Sequence, residues 1–108
     1  QGLIDDMAFA RFWQDNRQSF SPRSKRLTGL ELKQKGVVGD IIDQVVGGVD
    51  DSDSAYQSAL RKTRHWSLSD YQHFRRRLGE YLRRRGFSYE VINSTVERVW
   101  QEKLNSSG

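Results

Sequence analysis

The chain has 108 residues, of which 35% are hydrophobic and 30% are charged, and its formal net charge is +4. This length allows one compact domain or two small repeats that share a core. The 11% aromatic content argues against a disordered chain, and the lack of Cys excludes disulfides and thiolate metal sites.

The ends of the chain indicate a piece of a longer protein, because it begins with Gln1 rather than Met and ends with NSSG. No secretory signal is visible, and no apolar run approaches the ~20 residues that span a bilayer. Since a chain without Cys suits a reducing compartment, we expect a cytoplasmic protein without membrane contacts.

The N-terminal half predicts three helices. In DDMAFARFWQDNRQ the apolar residues recur one helical turn apart. Ser21 followed by Pro22 is typical of a cap and a first helical residue, so we expect a second helix from there to Gly36. A third helix is predicted by a helically spaced stripe of Val38, Ile41, Ile42, Val45, Val46 and Val49.

The C-terminal half predicts three more helices. Aspartates can cap a helix over 51–65, and Ser67 or Ser69 can start the next one. Gly86 would end that helix, because glycine takes the left-handed closing conformation at little cost. After Ser88, a last helix is expected to bury Val91, Ile92, Val96, Val99 and Trp100.

The two halves are related by a shift of fifty residues. This shift pairs Leu32 with Leu82, Lys33 with Arg83, Lys35 with Arg85, Gly36 with Gly86, Ile42 with Ile92 and Val46 with Val96. Apolar, basic and glycine positions agree together, although the shift aligns Thr28 with Leu78 and Ser24 with Phe74. We therefore predict an all-α fold of two tandem three-helix repeats, an elongated array with repeats at 1–49 and 50–103 and a tail at 104–108.

A basic face is predicted on the fifth helix. At 100° per residue, Tyr71, Phe74, Leu78, Tyr81 and Leu82 gather on one side, and Arg76, Arg77, Arg83 and Arg84 gather on the other. These charges could be an ordinary solvated surface, with Glu80 in i,i+4 pairs with Arg76 and Arg84. Because one glutamate cannot neutralise so many arginines, we predict a surface for an anionic partner.

Other kinds of site are poorly supported. His65 and His73 lack the spacing of a metal site, and the aspartates at 50–53 suit helix capping better than a calcium loop. Trp13, Trp66 and Trp100 are expected to anchor the core. No nucleophile, base and orienting group can be assembled, so we predict no enzyme, no cofactor, no metal and no small-molecule substrate.

Three stretches resemble a known family. DDMAFARFW, ELKQKGV and YLRRRGFSYEVI are similar, in order and spacing, to the second and third repeats of the RecX family, bacterial regulators of the RecA recombinase. The resemblance implies an elongated helical protein that binds the groove of the RecA–DNA filament and inhibits strand exchange, ATP hydrolysis and co-protease activity. A first repeat is missing, and Thr28 stands where such repeats tend to carry an aliphatic residue.

Our functional prediction is therefore a regulatory protein of DNA repair, recombination and the SOS response that inhibits the RecA filament. Charge-assisted contacts to filament acids or DNA phosphates would come from Lys33, Lys35, Arg76, Arg77, Arg83 and Arg84. The alternative is a trihelical regulator that binds duplex DNA directly, although the exposed face offers mainly Gln72 for base readout. A scaffold with an inert basic face is the third interpretation.

Overall fold

The computed structural model describes residues 3–20, 22–68 and 70–107, which form six helices and no strand. The helices are α1 (Leu3–Phe20), α2 (Lys25–Gln34), α3 (Gly39–Val46), α4 (Asp51–Lys62), α5 (Tyr71–Arg84) and α6 (Tyr89–Ser107). The molecule is a rod of 57 × 21 × 17 Å. The predicted all-α, elongated architecture is confirmed.

The helices pack as two triplets, α1–α3 and α4–α6, each around its own core. The core of the first repeat is formed by Ala10, Leu32, Val37, Ile41, Ile42, Val45 and Val46. That of the second repeat is formed by Ala55, Ala59, Phe74, Leu78, Leu82, Phe87, Ile92, Val96 and Val99. Trp13, Trp66 and Trp100 are half-buried at the edges of these cores. The tandem three-helix arrangement is confirmed, while the boundaries of the repeats and the tail stay predictions.

Two glycines end the middle helices as expected. Gly36 follows α2 with a φ of 88°, and Gly86 follows α5 with a φ of 89°. Both values lie in the left-handed region, where a side chain is disfavoured. The repeated Lys/Arg–Gly stretch is thus a repeated helix ending.

Several predicted helix limits are wrong. The second helix starts at Lys25 with Ser24 as its N-cap, and not at Pro22; Ser21 lies outside the described residues. The fifth starts at Tyr71 with Asp70 as its N-cap, and not at Ser67; Ser69 lies outside the described residues.

The fourth helix ends at Lys62 rather than at residue 65. Its C-cap Thr63 donates its hydroxyl to the carbonyl of Ala59, at 2.8 Å. Val38 precedes the third helix and is exposed, so it does not belong to the buried stripe. In the last helix Val91 and Trp100 are only half-buried.

A joint between the repeats explains the late start of α2. The backbone N–H of Ser24 donates to the carbonyl of Arg85 at 3.0 Å, and the N–H of Lys25 donates to Asp51 Oδ1 at 2.9 Å. Ser24 also caps α2, because its Oγ accepts from the N–H of Leu27 at 3.0 Å. Ser24 and Lys25 therefore attach the first repeat to the end of α5 and to the start of α4.

Among the described helices, none combines the length and the apolar character that a membrane span requires.

Candidate partner-binding surface

The helix α5 separates its side chains sharply. Phe74, Leu78 and Leu82 are buried in the core of the second repeat. The side chains between them must therefore face outward, because they lie on the opposite side of the helix. The exposed group includes Arg76, Arg77, Arg83 and Arg84.

Three of these four arginines have no acid partner among the residues that the structure describes. Arg83 forms an ion pair of 2.8 Å with Glu80, one helical turn away. Arg77 instead stacks on the ring of Trp66, with its Cζ 4.0 Å from the ring centroid. The guanidinium of Arg76 lies 3.4 Å from Nδ1 of His73. In the described part of the chain, no carboxylate lies within 4.0 Å of the guanidinium groups of Arg76, Arg77 or Arg84.

The expected i,i+4 pairs of Glu80 with Arg76 and Arg84 are therefore wrong, because Glu80 bonds to Arg83 at i,i+3. The hydrogen bond from Arg83 lowers the pKa of Glu80 and, reciprocally, raises the pKa of Arg83. Both groups are exposed, so this pair holds the local charge arrangement more than it stabilises the fold.

A basic depression lies between α4 and α5. Its volume is about 390 Å³, and Lys62, Arg76, Arg77 and Arg84 contribute four basic side chains, against the single acid Glu80. The ammonium of Lys62 sits 5.0 Å from the centroid of the Tyr81 ring, which forms part of the wall. We refer to this depression as the basic pocket. It can hold an anionic group among several donors.

The two predicted lysines lie in the other repeat. Lys33 is exposed in the last turn of α2. Lys35, the C-cap of α2, places its ammonium 4.6 Å from the ring centroid of Trp13. The structure thus brings four of the six predicted residues together on α5, while Lys33 and Lys35 occupy separate places on the first repeat.

A pair of grooves was missed by the sequence reasoning. The C-terminal groove, of about 400 Å³ between α5 and α6, is lined by Arg75, Arg76, Gly79, Arg83, Ile92 and Val96, among others. The N-terminal groove, of about 420 Å³ between α2 and α3, is lined by Lys25, Arg26, Gly29, Lys33, Ile42 and Val46, among others. Each of these six N-terminal residues is the repeat equivalent, fifty positions earlier, of one of the six C-terminal residues. The signal for them was the pairing of Gly29 with Gly79, two mid-helix glycines at equivalent positions.

Within the described ranges, no group of three or more His, Cys, Asp or Glu side chains is arranged to hold a metal ion. These surfaces mainly offer guanidinium and ammonium donors beside aromatic and aliphatic walls, with one carboxylate at each.

The comparisons with known proteins agree with this geometry repeat by repeat. Residues 5–46 match the family model described as the second three-helix domain of RecX, and residues 50–96 match the model described as the third. The chain belongs to the RecX family. Both matches fall on the triplets seen in the structure, so each repeat is recognised separately.

Several curated relatives are named regulatory protein RecX. The protein of Chlorobium limicola is 33% identical over 99 residues, which cover 92% of this chain and 62% of the relative. That of Mycobacterium avium is 41% identical over 99 residues, which cover 88% of this chain and 57% of the relative. The chain thus spans about three fifths of the length of these relatives. No solved structure matches the chain.

Family membership supports a regulatory role for the protein. It also gives the internal repeat an explanation, because the two halves correspond to two distinct three-helix domains of one family.

Proposed function

We propose that this RecX chain binds the RecA–DNA filament as a non-catalytic module and inhibits its recombinase and co-protease activities. In the cell this would regulate DNA repair, recombination and the SOS response in the cytoplasm. The observation that carries the proposal is the exposed arginine cluster of α5, in which Arg76, Arg77 and Arg84 have no described carboxylate within 4.0 Å.

An unneutralised cluster of this kind favours a polyanionic partner. The positive charges repel one another in the free protein, so an anionic surface that neutralises them gains binding free energy. Arginine forks also suit both carboxylates and phosphates, because their N–H groups donate in pairs. A filament of protein and DNA presents both kinds of anion.

The arginines are also partly arranged before binding. Arg77 is held against Trp66, and Arg83 is held by Glu80. Because such contacts restrict the side chains, fewer rotamers have to be frozen when a partner arrives. An exposed ion pair such as Arg83–Glu80 can also exchange Glu80 for a partner's acid at little cost.

The rod shape supports a steric mode of inhibition. A body 57 Å long and about 20 Å across can lie along a groove and cover a long contact surface. If it binds one state of the filament more tightly than another, it shifts the filament toward that state. No reacting group of the rod is needed for this effect.

The test is inhibition of the DNA-dependent ATPase activity of RecA by the chain and by two matched double variants. Arg77→Glu with Arg84→Glu reverses two charges in the basic pocket, and Arg61→Glu with Arg64→Glu reverses two exposed charges that do not line it. We expect the first pair to weaken inhibition about tenfold or more, and the second pair to change it little.

If both double variants lost inhibition equally, the loss would follow from net charge alone and not from the basic pocket. Absence of inhibition by the unaltered chain would overturn the proposal. If that chain then bound one duplex sequence tightly, direct DNA regulation would replace it. Weak binding to any DNA that fades with salt would indicate only a phosphate-directed patch.

A further inference from the structure

The two grooves share features that the basic pocket does not have. Their floors are glycine and aliphatic side chains: Gly29, Ile42 and Val46 in the N-terminal groove, and Gly79, Ile92 and Val96 in the C-terminal groove. Their rims each carry three basic residues and one acid. A groove of this composition offers both an apolar surface and a positive field.

The mid-helix glycines keep the grooves open. A Cβ at Gly79 would stand 3.7 Å from Cγ2 of Ile92, and a Cβ at Gly29 would stand 3.3 Å from Cγ2 of Ile42. Any larger side chain would therefore occupy the groove floor. Glycine inside a helix is less stable than alanine, yet both repeats have it at the same position.

Exposed apolar side chains extend the floors toward solvent. Leu30 lines the N-terminal groove and is 45% exposed, and Tyr89 lines the C-terminal groove and is 74% exposed. Exposed apolar surface beside a cleft is typical of a protein-binding site. A phosphate backbone has little apolar surface to bury there, so the composition favours a protein partner over nucleic acid.

We propose that each groove docks an acidic polypeptide segment whose single apolar side chain enters the groove while its carboxylates meet the basic rim. The equivalent rim residues are Lys25, Arg26 and Lys33 in one repeat and Arg75, Arg76 and Arg83 in the other. This inference rests on the proposed function for the existence of a protein partner, and it specifies the chemistry of the segment that the partner offers.

The probe is a synthetic peptide with one leucine flanked by glutamates. Its binding is measured by NMR, from the chemical shifts of the methyl groups on the groove floors. We expect the peptide to shift the resonances of Ile42 and Val46 and those of Ile92 and Val96. Replacing the leucine of the peptide by serine should weaken binding about tenfold or more, because the buried apolar contact is lost.

The second repeat supplies an internal control for the first. Arg75→Glu should weaken binding about threefold to tenfold at Ile92 and Val96 and leave Ile42 and Val46 unchanged. The equivalent change Lys25→Glu should do the reverse. Gly79→Leu should close the C-terminal groove only, and the Arg75→Glu result stands by itself if that variant does not fold.

Three results would overturn the inference. The serine peptide could bind as tightly as the leucine peptide, which would show charge attraction alone. An oligothymidylate could shift the floor methyl groups with the same affinity, which would indicate nucleic acid. The peptide could also leave the floor methyl groups unshifted and shift the backbone amide resonances of Lys62 and Tyr81 in the basic pocket instead.

The peptide assay contains no RecA, so its outcome is independent of the inhibition assay. A chain that binds the leucine peptide in its grooves but does not inhibit RecA would leave the grooves established and the proposed function wrong. A chain that inhibits RecA without binding the peptide would support the proposed function and overturn the grooves as docking sites.

Discussion

The two repeats share one backbone plan but differ in how well their cores are filled. At the centre of the second repeat, Leu78 is fully buried beside Phe74. The equivalent centre of the first repeat holds Thr28, also fully buried, and its hydroxyl has no hydrogen-bond partner among the residues that the structure describes. A buried hydroxyl without a partner costs free energy, whereas a buried leucine gains it.

The position of Ser24 and Phe74 shows a second difference. Phe74 packs edge-on against Trp66, with ring centroids 5.9 Å apart, and within 5.1 Å of the centroid of Trp100. Its equivalent Ser24 lies outside α2 and bonds to Arg85 of the other repeat. The second repeat thus uses this position for its own core, and the first uses it for attachment. We infer that the second repeat is the more stable of the two.

The largest expected effect comes from giving the second repeat the residue of the first. Leu78→Thr removes buried apolar atoms and places a hydroxyl in an apolar core, so we expect a loss of about 3–5 kcal/mol in unfolding free energy. Hydrogen exchange, measured separately for each repeat, should show reduced protection of the backbone amides in α5 and α6. Lost protection confined to α1–α3 would contradict the comparison.

The next effect distinguishes the two left-handed glycines. Gly36→Ala should cost about 1–2 kcal/mol, because only backbone strain opposes it and no atom of the described residues, apart from its chain neighbours, lies within 4 Å of the new Cβ. Gly86→Ala should cost about 2–4 kcal/mol, since its Cβ would also lie 2.6 Å from Ser24 Oγ and 2.8 Å from Leu27 Cβ. Urea denaturation of both variants measures the difference in unfolding free energy. Equal losses would show that Ser24 and Leu27 move away from the new methyl group at little cost.

A smaller effect should repair the first repeat. Thr28→Val replaces a buried hydroxyl that has no partner in the described part of the chain by a methyl group, so we expect a gain of about 1 kcal/mol. Urea denaturation measures it, with Thr63→Val as the control. The hydroxyl of Thr63 is bonded to Ala59, so that control should lose stability. A loss in Thr28→Val would indicate that its hydroxyl has a partner in solution.

The smallest effect concerns the Arg83–Glu80 pair. This pair has no equivalent in the first repeat, because the residue fifty positions before Glu80 is Leu30. Arg83→Gln should raise the pKa of Glu80 toward its ordinary value, since the hydrogen bond from Arg83 is the main cause of its lowering. NMR titration of the carboxyl group measures this. The lowered pKa means that the pair stabilises the fold above the unfolded pKa and ceases to do so as pH falls through the folded one. An unchanged pKa would show that the pair does not persist in solution.

Much of the fold could be predicted from the sequence because the helices and their ends depend on residues close together in the chain. Helical spacing of apolar residues and the glycines at 36 and 86 predicted six helices in two triplets, and the structure confirms this. The outward position of Arg76, Arg77, Arg83 and Arg84 also followed from spacing alone, since α5 buries one face. Their role as a partner surface stays a prediction.

The missed features depend on contacts between distant residues. The start of α2 was placed too early because Ser21–Pro22 is a good local signal, whereas Ser24 is chosen by its bond to Arg85. The grooves were missed because they form between neighbouring helices, and no single helix displays them. Glu80 paired with Arg83 rather than with Arg76 or Arg84, a choice among rotamers that spacing leaves open.

The sequence by itself determined the helices, their two triplets and the side of α5 on which its arginines lie, because these follow from the 3.6-residue period and from glycine at helix ends. Only the tertiary structure decided how the repeats join and where the grooves open. Both result from packing between segments far apart in the chain. In such packing, the side chains of one segment must fit the shape of the other, and local sequence patterns do not show this fit.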